Sequence, residues 1–167
     1  MKKDTSLCFT GHRTEKLPKT QGELEILKQR LWDEIDKAVN EGIDTFYMGA
    51  CYGFDLLCGD MVLVRKKVTK PNDPPKINLI AVVPYENQAV KWSVKDRDLY
   101  FDTLSQCDEV ITLSTKYHKD CYKDRNQYMV DHSSRMIAYH DGGRVSGSGQ
   151  TVRMAEKQQL HIINLYE

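Results

Sequence analysis

Two segments of this sequence place glycine next to side chains that can bind an anion. Gly11-His12-Arg13 ends a short apolar run, and segment 49–55 (Gly-Ala-Cys-Tyr-Gly-Phe-Asp) ends a second one. Glycine lets a ligand approach the backbone closely, and arginine pairs with a phosphate through two hydrogen bonds. A glycine- and serine-containing loop, Gly142–Gly149, follows a later apolar run. These residue types predict a site for a phosphate-bearing ligand.

Two further pairs of residues extend this candidate site. Arg125 and Asn126 begin a helical pattern, and Pro84 and Tyr85 follow another apolar run. Tyr85 is a candidate to stack on a base, with filling of an aromatic core as the alternative. For Arg125, an ion pair with a neighbouring carboxylate is the alternative to ligand binding.

Alternating strand and helix patterns explain how these residues would converge. We predict strands at Leu7–Thr10, Thr45–Met48, Ile77–Val83, Glu109–Leu113, Met136–Tyr139 and His161–Leu165. Between them we predict a helix with an apolar stripe from Leu24 to Val39, and helices at Phe54–Lys67, Lys95–Gln106, about Lys123–Ser133 and Gln150–Gln158. This alternation predicts an α/β three-layer sandwich, a mainly parallel sheet with helices on both faces. Ligands of such sheets bind beyond the carboxyl ends of the strands.

Composition narrows the classes of function. The 167 residues suit a single domain, and the 24 basic and 24 acidic residues give zero net charge, which argues against nucleic acid as a partner. No apolar run is long enough to cross a membrane, so we expect a cytoplasmic protein. The five cysteines form no CxxC pair, so we expect reduced thiols, with no metal or cofactor. The sequence leaves open whether the protein forms a homo-oligomer.

Taken together, these segments resemble a known family. Segments 8–13, 49–55 and 121–131, together with Pro84-Tyr85, are similar to the YpsA-like family of the SLOG superfamily, in order and over nearly the whole chain. The resemblance implies a Rossmann-like fold and binding of nucleotides or nucleotide-derived ligands. The superfamily also contains the LOG phosphoribohydrolases and the DNA-processing protein DprA.

Comparison with the LOG motifs implies binding without LOG-type catalysis. Arg125-Asn126-x-x-Met129 resembles the LOG Arg-Lys-x-x-Met helix, and segment 146–151 resembles a loosened Pro-Gly-Gly-x-Gly-Thr-x-x-Glu loop. Met154 stands where the LOG motif has its catalytic glutamate. The resemblance therefore implies a degenerate phosphate loop that lacks this carboxylate.

The leading prediction is a nucleotide-binding module, a sensor or sequestering protein for ligands such as ADP-ribose. Arg13 and Arg125 would contact phosphate, Asp55 or Asn126 a ribose hydroxyl, and Tyr85 the base. The predicted ligand-binding residues are Gly11, His12, Arg13, Gly49, Ala50, Gly53, Asp55, Pro84, Tyr85, Arg125, Asn126, Gly147, Gly149 and Thr151.

Two alternatives stay open beside this prediction. One is a nucleotide hydrolase that uses Asp55, Asp131 or Asp141 in place of the missing glutamate. The other is an interaction protein in which the pocket is vestigial. No catalytic residue is assigned.

Overall fold

Six parallel strands form the centre of the molecule. The computed structural model describes residues 3–143 and 146–167. The strands are β1 (Ser6–Gly11), β2 (Thr45–Met48), β3 (Asn78–Val83), β4 (Glu109–Thr112), β5 (Arg135–Tyr139) and β6 (His161–Asn164). They pair in the order β4-β3-β2-β1-β5-β6, and every pairing is parallel.

Helices cover both faces of this sheet, which confirms the predicted Rossmann-like α/β fold. The helices are α1 (Gln21–Asn40), α2 (Phe54–Lys66), α3 (Val94–Gln106), α4 (Cys121–Asp131) and α5 (Gly147–Lys157). Helix α2 packs against α1 and α3 on one face, and α4 packs against α5 on the other. None of the described helices combines the length and apolarity that a membrane span requires.

Side-chain alternation along the central strands explains the two apolar layers. Leu7 and Phe9 of β1 pack in the core under α1 and α2, and Cys8 packs in the second core under α4 and α5. A strand whose side chains alternate between two buried faces therefore appears in the sequence as a continuous apolar run. Helix α1 begins as predicted, because Thr20 Oγ1 accepts a hydrogen bond from the Glu23 N–H at 3.2 Å.

The predicted start of α5 was wrong by three residues. The helix begins at Gly147 rather than Gln150, and Ser146 is its N-cap, with Oγ accepting from the Gly149 N–H at 3.1 Å. Serine is a strong N-cap, so its position outweighs the poor helix propensity of the following glycines. Residues 144 and 145 of the predicted Gly142–Gly149 loop lie outside the described residues.

The strand order identifies where a ligand site is expected. Strands β1 to β4 extend the sheet in one direction, and the chain then returns so that β5 pairs with the other side of β1. The connections on the two sides of β1 therefore lead away from each other. In open α/β sheets, ligands bind in the crevice at such a switch point.

Candidate functional site

A cavity of about 370 Å³ opens beyond the carboxyl end of β1, at this switch point. It is lined by Phe9, Thr10, Gly11, His12, Arg13, Glu15, Lys16, Cys51, Asp55, Tyr122, Arg125, Asn126, Met129, Ser146, Gly147 and Ser148. Small-molecule sites in proteins have volumes of roughly 300–1,000 Å³, so the cavity suits a ligand the size of a nucleotide or smaller.

The turn before α2 lies directly against the turn after β1. Gly53 is the N-cap of α2 and has φ = +100°, and a Cβ there would lie 2.6 Å from the Cα of Arg13. The Phe54 N–H donates to the His12 carbonyl at 3.1 Å. The backbone conformation and this close approach therefore both require glycine at position 53. The glycine allows the turn before α2 to pack against Arg13.

Arg13 presents an exposed cation at the cavity. Its guanidinium carbon lies 5.3 Å from the centre of the Tyr52 ring, a cation–π contact. It forms no ion pair with any carboxylate of the described residues. The positive charge of Arg13 is therefore available to an anionic ligand.

Arg125 is buried and connects α4 to the ends of two strands. Nη1 donates to the Gly49 carbonyl at 2.6 Å and to the Val82 carbonyl at 3.5 Å, and Nε donates to Asn126 Oδ1 at 2.7 Å. The guanidinium also lies over the Tyr122 ring, 5.6 Å from its centre. Its partners are carbonyl groups, so the ion pair considered as an alternative does not form.

Asp55 places a carboxyl group in the cavity, where it is 8% exposed. Its Oδ2 accepts a hydrogen bond from the Cys51 N–H at 3.3 Å. Burial raises the pKa of Asp55, and the positive charges of Arg125 and Arg13 offset part of this effect. The carboxylate therefore carries an unfavourable desolvation cost that only nearby cations or a ligand can relieve.

His12 begins a hydrogen-bonded chain that runs to Ser148 and His140. Its Nε2 lies 3.0 Å from the Asp141 backbone nitrogen and 3.3 Å from Asp141 Oδ1, and its Nδ1 lies 3.3 Å from Ser148 Oγ. In the neutral ring protonated at Nδ1, Nε2 accepts from the Asp141 N–H and Nδ1 donates to Ser148 Oγ. Ser148 Oγ can then donate to His140 Nδ1, also at 3.3 Å. Burial lowers the pKa of His12, which favours this neutral form.

The His12, His140 and Asp141 side chains could together hold a metal ion, since their ligand atoms lie within 4.8 Å of one another. These atoms already have protein partners. The His12 Nε2 lone pair faces the Asp141 N–H, and Lys16 and the Gly143 N–H bind the Asp141 carboxylate at 3.1 and 2.9 Å. The Gly143 N–H and Lys16 hold the pKa of Asp141 at about 2.

The N-terminus of α5 forms another part of the cavity wall. Ser146, Gly147 and Ser148 line the cavity. The Gly147 and Ser148 N–H groups have no hydrogen-bond acceptor among residues 3–143 and 146–167. The N–H groups of the first turn of a helix, together with the positive end of the helix dipole, favour an anion at this position.

The structure brings only some of the predicted site residues together in the cavity. Those lining it are Gly11, His12, Arg13, Asp55, Arg125, Asn126 and Gly147, and those outside it are Gly49, Ala50, Gly53, Pro84, Tyr85, Gly149 and Thr151. Ligand contact by any of these residues stays a prediction.

The residues outside the cavity support those that line it. Gly49 lies beneath the Arg125 guanidinium, and the Tyr85 ring lies behind Tyr122 at 6.1 Å between centres. Thr151 is buried and donates to the Gly147 carbonyl at 2.9 Å, inside the first turns of α5.

Several cavity-lining residues were not predicted as site residues: Phe9, Thr10, Glu15, Lys16, Cys51, Tyr122, Met129, Ser146 and Ser148. For Ser146, the signal was a serine shortly before a helical pattern. For Tyr122, it was the spacing of three and four residues from Arg125 and Asn126, which places all three on one face of α4. Glu15 and Lys16 lie in a short 3-10 turn, Thr14–Lys16, that carries no apolar pattern.

Met154, the residue at the position of the LOG glutamate, lies away from the cavity. It borders a separate groove between α4 and α5, with Lys123 and Arg153 among its neighbours, and packs against the second core. Asp131 and Asp141 do not line the cavity either, so Asp55 is the one hydrolase candidate that does.

The chain belongs to the YspA SLOG family, whose family model matches residues 7–165. It is 28% identical over 148 residues to the uncharacterized SPbeta prophage-derived protein YoqJ of Bacillus subtilis, covering 80% of this chain and 82% of YoqJ. It is 21% identical to the UPF0398 protein BH1768 of Halalkalibacterium halodurans, covering 92% of this chain and 81% of that protein.

A solved structure with a similar fold is that of DNA processing protein A from Helicobacter pylori, which binds single-stranded DNA. The TM-score is 0.65 at 17% identity, and the match covers 96% of this chain and 66% of that chain, just under two thirds of its length. The likeness shows a shared fold. It leaves unsupported the expectation, drawn from zero net charge, that nucleic acid is not a partner.

Proposed function

We propose that this member of the YspA SLOG family binds a phosphorylated small molecule of nucleotide type, as a sensor or sequestering module. The observation that carries the proposal is the pair Arg13 and Arg125. Both guanidinium groups line one cavity, and neither pairs with a carboxylate of the described residues. Cations in such a cavity favour an anionic ligand.

The phosphate group would lie between Arg13 and the N-terminus of α5. Arg13 is exposed and has no carboxylate partner, and the Gly147 and Ser148 N–H groups have no acceptor among the described residues. Arg125 is held by the Gly49 carbonyl, so it contributes charge from a fixed position rather than by reaching toward the ligand. Asp55 would repel a phosphate, so the rest of the ligand would occupy its side of the cavity.

A nucleotide fits this division of the cavity. One end supplies the Arg13 cation and two N–H groups that have no acceptor among the described residues, and the other supplies polar and aromatic side chains such as Asp55, Asn126 and Tyr122. The shared fold with a DNA-binding protein supports a single nucleotide unit of a nucleic acid as a second form of the same ligand chemistry.

Calorimetric titration tests the proposal with AMP, ADP, ADP-ribose, a short oligothymidylate and inorganic phosphate as probes. We expect at least one nucleotide to bind with a 1:1 stoichiometry, and Arg13→Ala to weaken it about tenfold or more. Lys95→Ala removes an exposed cation from α3, outside the cavity, and is the matched control. Absence of binding by every probe, or equal losses in the two variants, would contradict the proposal.

A second candidate function is hydrolysis of the N-glycosidic bond of a bound nucleotide. One observation favours it: the Asp55 carboxylate lies in the cavity, where it could stabilise positive charge that develops on the sugar. Release of free base from AMP, abolished by Asp55→Asn, would support this function. Binding of AMP without base release would support the binding module alone.

A further inference from the structure

Two largely buried side chains in the cavity each have a hydrogen-bonding atom with no partner among residues 3–143 and 146–167. Asp55 of α2 and Asn126 of α4 are each 8% exposed, and both line the cavity. Polar atoms of largely buried side chains usually pair with the protein, with water or with a ligand. Polar atoms that have no partner among the described residues, at two positions of one cavity, therefore indicate the chemistry of the ligand that pairs with them.

The orientation of the Asn126 amide is fixed by Arg125. Arg125 Nε donates to Asn126 Oδ1 at 2.7 Å, and a guanidinium group has no acceptor atom. The flipped amide would direct two N–H groups at each other, so Nδ2 must point away from Arg125. Nδ2 donates to no acceptor among the described residues. Asn126 therefore offers hydrogen-bond donors to the cavity.

Asp55 offers the cavity a hydrogen-bond acceptor, where Asn126 offers donors. One carboxylate oxygen, Oδ2, accepts from the Cys51 N–H at 3.3 Å. The other oxygen, Oδ1, accepts no hydrogen bond from the part of the chain that the structure describes. The cavity thus presents one acceptor from α2 and one donor group from α4.

We propose that Asp55 and Asn126 bind the vicinal hydroxyl groups of a ribose, so that the site selects ribose phosphates over 2-deoxyribose phosphates. The inference rests on the proposed function. A hydroxyl group both donates and accepts, so one hydroxyl can donate to Asp55 Oδ1 while its neighbour accepts from Asn126 Nδ2. A ligand without one hydroxyl leaves a buried polar atom unpaired, which is the strongest basis for rejecting an analogue.

Sugar phosphates test this inference without the contribution of a base. Calorimetric titration compares ribose 5-phosphate with 2-deoxyribose 5-phosphate, and AMP with 2′-deoxy-AMP. We expect the ribose compound of each pair to bind about tenfold more tightly or better. A preference present in both pairs assigns the selection to the sugar.

Two isosteric substitutions test the residues. Asp55→Asn turns the free acceptor into a donor, and Asn126→Asp turns the donor into an acceptor with the Arg125 contact kept. Each should reduce the ribose preference to within about twofold. The ribose preference is the ratio of the affinities of one variant for the ribose and deoxyribose compounds. Both compounds carry the same phosphate, so a change in the attraction of the variant for phosphate does not alter this ratio. Asp60→Asn, an exposed isosteric change on α2, should keep the full preference. Thermal unfolding verifies that all three variants fold.

The outcomes separate this inference from the proposed function. Equal affinity of the native protein for the ribose and deoxyribose compounds would overturn the ribose inference and leave nucleotide binding intact. A change of base preference in both variants, without any ribose preference, would also overturn it and assign the two residues to a base edge. If no phosphorylated compound binds, both proposals fail together.

Discussion

The guanidinium of Arg125 occupies the space beside Gly49 that any other residue would need for its side chain. Arg125 Nη1 donates to the Gly49 carbonyl at 2.6 Å, and a Cβ at position 49 would also lie 2.9 Å from Asp55 Oδ2. The glycine thus leaves room at the end of β2 for the Arg125 guanidinium and the Asp55 carboxylate, which come from different helices.

Gly49→Ala should therefore reduce both stability and ligand binding. Overpacking at a rigid contact costs roughly 1–3 kcal/mol, and displacement of Arg125 also disturbs Asn126. Gly22→Ala is the matched control, because nothing lies within 4 Å of its added Cβ, and alanine stabilises a helix by roughly 1 kcal/mol relative to glycine. Urea unfolding and titration measure the two effects, and an unchanged Gly49→Ala variant would refute the packing argument.

Arg13→Ala and Arg125→Ala should differ in their effect on stability. Loss of the Arg13 side chain should weaken nucleotide binding by roughly 1.5–3 kcal/mol. Because Arg13 is exposed, the free energy of unfolding should change little. Arg125 is 5% exposed and satisfies buried carbonyl groups, so its loss should reduce binding and stability together. Denaturant unfolding beside calorimetry distinguishes the two residues. Equal destabilisation by both would show that Arg13 is also structural.

Asp55→Asn should stabilise the protein while it weakens ligand binding. Burial raises the pKa of Asp55, so above its usual range the ionised carboxylate destabilises the folded state, and the neutral amide removes that cost. The gain should be roughly 0.5–2 kcal/mol, as is common when a functional group is removed from a site. Thermal unfolding at pH 7 measures it. A clear loss of stability would mean that Asp55 serves mainly to balance Arg125.

Stability should fall as the pH drops below about 6.5, in part through His12. Its pKa is lowered by burial in the folded protein, so the unfolded chain binds this proton more readily and acid favours unfolding. Urea unfolding of the ligand-free protein at pH 7.5 and 5.0 measures the change. His12→Gln should reduce this dependence, and His118→Gln, a substitution of an exposed histidine outside the cavity, is the control. Identical pH profiles for both variants would exclude His12 as the source.

The fold could be predicted from the sequence because each strand is a separate apolar run between helical patterns. The predicted and observed bounds of β2 agree, Thr45–Met48, because this strand is buried on both faces and is flanked by Asp44 and Gly49. The start of α5 was not recoverable from periodicity, because Ser146 acts as a cap ahead of residues with poor helix propensity.

The site was predicted less completely, for a physical reason. Sequence places residues at strand ends but does not show which of them are covered by others. Gly49 and Tyr85 lie at the predicted edge of the sheet. However, the Arg125 guanidinium packs over Gly49, and the Tyr122 ring, which lines the cavity, packs against Tyr85. The roles of such residues depend on long-range packing between α2, α4 and the sheet.

The most direct test of nucleotide binding is mass spectrometry of small molecules that co-purify with the protein. The protein is purified under native conditions as the natural chain and as the Arg13→Ala and Lys95→Ala variants, and the bound compounds are released by denaturation. The account predicts a phosphorylated, ribose-containing compound with the natural chain and the Lys95→Ala variant, and its depletion with Arg13→Ala. A ligand without phosphate, or equal amounts in all three preparations, would contradict it.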